Sequence, residues 1–179
     1  MYFNQENTVN VHVTSVTVSS DYDIAEVIAV DIADSSGCLP YRIVGAYRPP
    51  DYSKEQNELF FSALNYLANG SARLCIIGDF NLPDFNWDLF YYPNSHLYTT
   101  AADFVTTHGL SQLVDFPTRG SNILDLVLCS DVLCCDDFEL LPPIGSSDHD
   151  IIYFKLALSL PSFDCPSSDV KLFNFAKAD

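Results

Sequence analysis

The sequence predicts a layered α/β sandwich. Strand-like apolar runs outnumber helical stretches, and the two kinds neither alternate strictly nor segregate, which suits stacked sheets with few helices. Two of the runs meet polar clusters. Leu74-Cys75-Ile76-Ile77 leads into Gly78-Asp79-Phe80-Asn81, and Ser147-Asp148-His149 stands just before Ile151-Ile152-Tyr153-Phe154. Strands that end in this way bring loops together at one edge of the sheets. With 179 residues, 48% hydrophobic and 13% aromatic, the chain has the size and composition of one globular domain and needs no disulfide staple.

Each element follows from local pattern. Val9, Val11 and Val13 alternate with polar residues, as in a half-buried strand. The alternation slips at Ser15 and resumes at Val16 and Val18, which predicts a bulge or turn. Residues 24–32 form a second strand, mostly apolar, with Gly37 in the turn after it. Residues 41–47 form a third, stopped by Pro49-Pro50. Ser53-Lys54-Glu55-Gln56 reads as a capping box, followed by Leu59, Phe60, Ala63, Leu64 and Leu67 at helical spacing and by Gly70 as a C-terminal stop.

That helix feeds the strand 74–77. An aromatic- and proline-rich loop covers 82–94, and a second helix covers 101–108, closed by Gly109. Residues 123–128 form a strand, Pro142-Pro143 and Gly145 shape a loop, and residues 151–158 form the last strand. Residues 1–160 are read as the domain and 161–179 as a tail or linker.

Charge narrows the partners. Twenty-four acidic residues face eight basic ones, for a formal net charge of −16. Nucleic-acid binders carry basic stripes that neutralise phosphates, and this chain has no Lys/Arg cluster. Its surface repels a polyanion over a Debye length of about 8 Å. Any contact with DNA is therefore weak, or leans on a basic partner. The six cysteines contain no C-x-x-C pair, are expected to be reduced, and point to an intracellular setting, nuclear or cytoplasmic rather than secreted. No signal peptide is visible, and no apolar run approaches the ~20 residues that span a bilayer.

The polar clusters suit metal-assisted hydrolysis. Asp79 and Asn81 lie two apart at a strand tip and share a face there. Phosphodiester cleavage needs an activated water, charge stabilisation on the non-bridging oxygens and help for the leaving alkoxide. Each residue also has a plainer reading. Asp79 and Asn81 could be an Asx-turn leaving a strand. His149 could be a surface histidine, and Tyr47 a packed aromatic. Asp125 sits inside an apolar strand, where a carboxylate needs a partner.

Four motifs occur in order: Ala46-Tyr47-Arg48-Pro49-Pro50, Gly78-Asp79-Phe80-Asn81, Ile123-Leu124-Asp125-Leu126-Val127-Leu128 and Ser147-Asp148-His149. Together they resemble the endonuclease/exonuclease/phosphatase superfamily, of DNase I-like fold. Within it they resemble the endonuclease domain of non-LTR (LINE-type) retrotransposons, over roughly residues 9–158. The tail 173–179, Phe-Asn-Phe-Ala-Lys-Ala-Asp, is similar to the segment that leads to reverse transcriptase in such polyproteins.

The resemblance implies a metal-dependent phosphodiesterase that nicks one DNA strand and leaves a 3′-hydroxyl to prime reverse transcription. It implies catalytic Asp79, Asn81, His149, Asp125 and Tyr47, and Asp148 as ligand of Mg²⁺ or Mn²⁺. Asp79, at an ordinary pKa of about 4, would accept the proton of the attacking water. Asn81 would donate to the phosphate through its amide, and Tyr47 would reach it with its hydroxyl. His149 would be held charged by Asp125 on its other nitrogen. Arg48, Thr118 and Ser121 are candidate substrate contacts, Arg48 serving either a phosphate or an ion pair.

The family's Asn-bearing first strand and Glu-bearing second strand have no counterpart here; neither Glu6 nor Glu26 stands at a suitable strand end. The expected domain is thus N-terminally incomplete. It is also expected to bind its cation weakly, to leave an apolar face or open edge, and to show little nuclease activity alone. Two alternatives stand beside this reading. One is a phosphatase or lipid phosphodiesterase of the same fold. The other is an inactive remnant acting as a binding module.

Overall fold

The computed structural model describes residues 11–34, 41–70 and 73–157. Eight strands and two helices form the fold: β1 (Val11–Val16), β2 (Glu26–Asp34), β3 (Tyr41–Tyr47), α1 (Lys54–Ala68), β4 (Arg73–Asp79), α2 (His96–Thr107), β5 (Ser111–Gln112), β6 (Asp125–Cys129), β7 (Cys135–Leu141) and β8 (Ile151–Leu156). Short 3-10 turns occur at Ser20–Tyr22 and Val132–Cys134. Six strands make one sheet in the order β1-β2-β3-β4-β6-β5, and β7 pairs with β8 in a second. Only β3 and β4 run parallel; the other pairings are antiparallel.

Helix α1 is the crossover between β3 and β4. Its start is the predicted capping box: Ser53 Oγ accepts from Gln56 N, and Gln56 Oε1 accepts from Ser53 N. Gly70, at φ +78, takes the left-handed position just past its end. The helices bury Phe60, Phe61, Leu64, Leu67, Phe104 and Val105 against Val44, Leu74, Ile76, Leu126 and Leu128 of the sheet.

The opposite face of the sheet meets β7–β8. A second core forms there from Tyr41, Cys75, Val114, Val127 and Cys129, with Phe138, Ile152 and Phe154 packed on it. Phe138 and Phe154 stack across the β7–β8 pair with centroids 5.1 Å apart. Cys75, Cys129, Cys134 and Cys135 are free thiols. Burial pushes the thiols of Cys134 and Cys135 up to about 11 and about 12, where they stay protonated. Cys38 and Cys165 lie outside the described residues.

Several expectations need correction. β1 pairs with β2 in unbroken register from Val11↔Asp34 to Val16↔Ala29, so no bulge stands at Ser15. The second helix begins at His96, five residues before the predicted Ala101, because Ser95 starts it without a side-chain cap that would mark it. β5 and β7 were not foreseen. β7 hides because its register shifts between Asp136 and Glu139 and Asp137 takes a left-handed φ of +52, which breaks its alternation. The expected strand over 123–128 begins only at Asp125, since Asn122 turns back onto Arg119 just before it. The predicted tail lies outside the described residues.

Candidate active site

Three neighbouring strands end together. In register, Tyr47 of β3 pairs with Asp79 of β4, and Asp79 pairs with Asp125 of β6. Residues in register share a face, so the three side chains project on one side of the sheet. Gly78 makes the tip possible. Its φ is +154, and a Cβ there would meet the Ala46 carbonyl oxygen at 1.7 Å.

Beyond the tip the chain turns sharply. Asn81 takes φ +48, and its backbone N–H donates to Asp79 Oδ1 at 2.9 Å, an Asx-turn. Asn81 Nδ2 donates to Asp79 Oδ2 (2.9 Å) and to the Arg48 carbonyl (3.0 Å). Both amide protons are therefore committed inside the protein. The expected donation from this amide to a phosphate is replaced by a hold on Asp79, and the amide presents its oxygen instead.

Arg48 was a candidate substrate contact, and the structure gives its guanidinium other work. The residue is 2% exposed. Nε donates to the Phe80 carbonyl and Nη2 to the Asn81 carbonyl, both at 2.6 Å. Nη1 donates to Asn57 Oδ1 (3.0 Å) and the Pro49 carbonyl (3.2 Å). Neither a phosphate contact nor an ion pair results. Arg48 pins the β4 tip to the start of α1 by satisfying carbonyls that water cannot reach.

His149 comes to this tip from the loop before β8. Its Nδ1 lies 2.7 Å from Asp125 Oδ2, and its Nε2 lies 4.0 Å from Asp79 Oδ2. The loop is fixed by Ser147 Oγ, which accepts from His149 N, and by Asp150 N, which donates to the Thr118 carbonyl. Thr118 was a candidate DNA contact, but it is fully buried. Its Oγ1 accepts from Leu124 N and Asp125 N, both at 3.1 Å. Thr118 therefore positions Asp125 and the His149 loop from behind.

Asp148, the expected metal ligand, points elsewhere. Its side chain is 67% exposed and pairs with Arg119 Nη2 at 2.5 Å. Adjacent residues of an exposed loop need not face the same way, and here Asp148 and His149 do not. The groups that do converge are Asp79, Asp125 and His149, whose ligand atoms lie within 4.8 Å of one another and could hold a metal ion. Two hard carboxylates fit Mg²⁺ or Mn²⁺. Burial is the main cause that raises the Asp79 pKa above its ordinary value, and the Asp125 charge raises it further; the Asn81 backbone N–H and His149 pull it back. A cation would relieve that repulsion.

Tyr47 stands half-exposed at the end of β3. Ser121, exposed on the turn that bridges Arg119 and Asn122, lines an open cavity of about 650 Å³ with Arg119, Asn81, Tyr98 and Leu124. Arg119 was missed from sequence. Its only signal was a cation beside the glycine of a Thr-Arg-Gly-Ser turn.

A two-layered sheet structure with this strand-tip cluster defines a DNase I-like domain of the endonuclease/exonuclease/phosphatase class. Residues 41–153, more than half of the chain, match the family described as "Endonuclease-reverse transcriptase", and the chain belongs to that family. Membership makes it a hydrolase by kind.

Among solved structures, the endonuclease domain of TRAS1, a telomere-specific non-LTR retrotransposon, is similar at TM-score 0.57 and 19% identity. The match covers 84% of this chain and 81% of that one. At that identity the likeness establishes the fold alone. An endonuclease/exonuclease/phosphatase family protein from Bacteroides thetaiotaomicron matches at TM-score 0.47 and 12% identity, over 75% of this chain and 57% of that one. The 3′ phosphatase NExo from Neisseria, bound to a product DNA hairpin, matches at TM-score 0.48 and 14% identity, over 72% and 64%. No curated protein sequence matches the chain. No helix among the described residues is long and apolar enough to cross a membrane.

Proposed function

We propose that this domain hydrolyses phosphodiester bonds with a divalent metal ion. In the fuller form of this reading it nicks one strand of DNA to leave a 3′-hydroxyl that primes reverse transcription. One observation carries the proposal: the Asp125–His149 pair faces Asp79 across 4.0 Å. That gap is too long for a hydrogen bond, so Asp79 Oδ2 and His149 Nε2 are not spent on each other and face one space, where a water and a phosphoryl oxygen can meet them.

The chemistry divides among the residues as follows. Asp79 Oδ2, held by Asn81, accepts a proton from the attacking water. The water oxygen bonds to phosphorus, the bond from phosphorus to the 3′-oxygen breaks, and the leaving oxygen takes a proton from solvent to become the 3′-hydroxyl, while Asp79 returns its proton to solvent. With both ring nitrogens protonated, His149 donates from Nε2 to a phosphoryl oxygen, while Asp125 accepts from Nδ1 and fixes the ring. Tyr47 offers a hydroxyl from the same face. A cation at the Asp79 and Asp125 carboxylates would supply Lewis-acid stabilisation of phosphoryl charge. Asp148, as placed, contributes no ligand. DNA is the proposed substrate, and a reverse transcriptase in the same polyprotein the proposed partner.

The test is conversion of supercoiled plasmid to the nicked form with excess protein in Mg²⁺ or Mn²⁺ against EDTA, with polymerase extension of the product. Slow, metal-dependent nicking with extendable ends is expected. A base must be deprotonated to act, and the Asp79 pKa is raised. In the metal-free protein, acidification should therefore protonate Asp79 at a pH above the ordinary Asp value of about 3.9 and weaken cation binding there. Absence of cleavage at any metal concentration, with DNA bound, would instead make the domain a binding module.

A further inference from the structure

Arg119 is the cation at the rim of this site. The other described cations are placed otherwise. Arg42 is held by Asp31 and the Leu67 carbonyl, and Arg48 is buried under the β4 tip. Lys54 lies near Glu58, and Lys155 pairs with Asp137. Arg73 begins β4, at the opposite end of that strand from Asp79. Arg119 lines the open cavity beside Asn81 and Ser121; Arg48 lines it too, but is 2% exposed and spends its guanidinium on the Phe80 and Asn81 carbonyls. It sits on the turn whose Thr118 holds both Asp125 and the His149 loop.

Its guanidinium is engaged by Asp148 Oδ2 at 2.5 Å, with side-chain exposures of 46% and 67%. Arg119 holds the Asp148 carboxyl below the usual carboxylate range. An ion pair this exposed contributes little to folding and exchanges readily for another anion. A phosphate presents the guanidinium with the same planar pairing as a carboxylate, and with more charge.

We propose that Arg119 is a binding residue for a phosphate of the nucleic-acid backbone beside the reacting centre, and that Asp148 takes that phosphate's place in the free protein. The inference rests on the phosphodiesterase reading and adds a subsite to it. Substrate then enters by displacing Asp148 from Arg119. In a chain with formal charge −16, an arginine already neutralised by its own carboxylate would make capture of DNA weak.

The test is equilibrium binding of a labelled DNA duplex in EDTA, which stops chemistry, across a salt series. Wild type, Arg119→Gln, Asp148→Asn and the double variant are compared, with circular dichroism to confirm folding. Arg119→Gln should weaken binding and flatten the log K against log salt slope by about 0.9, one phosphate contact. Asp148→Asn should tighten binding severalfold in wild type and have no effect in Arg119→Gln. An unchanged slope in Arg119→Gln overturns the proposal. So does equal tightening by Asp148→Asn in both backgrounds, which would make Asp148 a general repulsive charge. Absence of duplex binding by both wild type and Asp148→Asn overturns it as well. Metal-dependent nicking of plasmid, read separately on wild type, tests the phosphodiesterase reading itself and can survive any of these outcomes.

Discussion

The two faces of the six-stranded sheet are closed to different degrees. Under the helices, Phe60, Leu64, Val44 and Ile76 are fully buried. On the other face β7–β8 covers Cys75, Val127 and Cys129, but among the described residues the cover stops short of the β1–β2 side, where Val13 is 63% and Ile28 75% exposed. A pair of strands cannot cover a six-stranded sheet, and a two-stranded unit is marginal by itself. The candidate site lies where the two regimes meet. Asp79 and Asn81 rise from the closed, helix-backed strand β4, whereas His149 comes from the loop of the thinner layer. One half of the site is therefore held by a packed core. The other half depends on the turn at Thr118 and the Asp125–His149 hydrogen bond.

Substitutions on the two faces should separate sharply. Phe60→Ala removes a ring that meets Phe61 and Phe80 edge-on, at 5.3 and 5.8 Å, inside the closed core. It should cost about 3–5 kcal/mol in denaturant unfolding. A loss below about 1 kcal/mol would mean that the helix layer packs loosely. Ile28→Thr, on the open face, should change stability by less than about 0.5 kcal/mol and reduce self-association in sedimentation. A large stability loss at Ile28 would show that something covers this face in solution.

The closed face was also the more legible in sequence. Strand β3 falls at the predicted 41–47, and helix α1 starts at the predicted capping box, because both are specified by local pattern: a mostly apolar run stopped by Pro49-Pro50, and Ser53 with Gln56. The thinner layer was half legible. Its apolar strand β8 was seen, but β7 was not, since Asp136-Asp137 and the register shift erase its period. Among site residues, the apolar run before Asp79 placed it at the strand tip and the carboxylate inside an apolar run flagged Asp125, but Asn81 turns off beyond the strand at φ +48 and does not share its face by strand alternation. What sequence could not convey was side-chain direction and long-range hydrogen bonding. Arg48 looks like a phosphate contact until its carbonyl partners, 32 and 33 residues away, are seen. Asp148 looks like a ligand because it precedes His149, yet its partner is Arg119.

In the proposed mechanism, Asp125 and His149 act as one unit on a phosphate that is attacked by the water Asp79 deprotonates. Single-turnover cleavage of a defined duplex by wild type, Asp125→Asn, His149→Ala and the double variant tests it most directly. At saturating Mg²⁺, where loss of one carboxylate ligand no longer limits metal occupancy, Asp125 works through His149 and adds little once His149 is gone. The double variant should then be about as slow as His149→Ala alone, at a loss of about 10²–10³-fold for the removed hydrogen-bond donor. Losses that multiply in the double variant, or cleavage that persists unchanged in His149→Ala, would contradict the account.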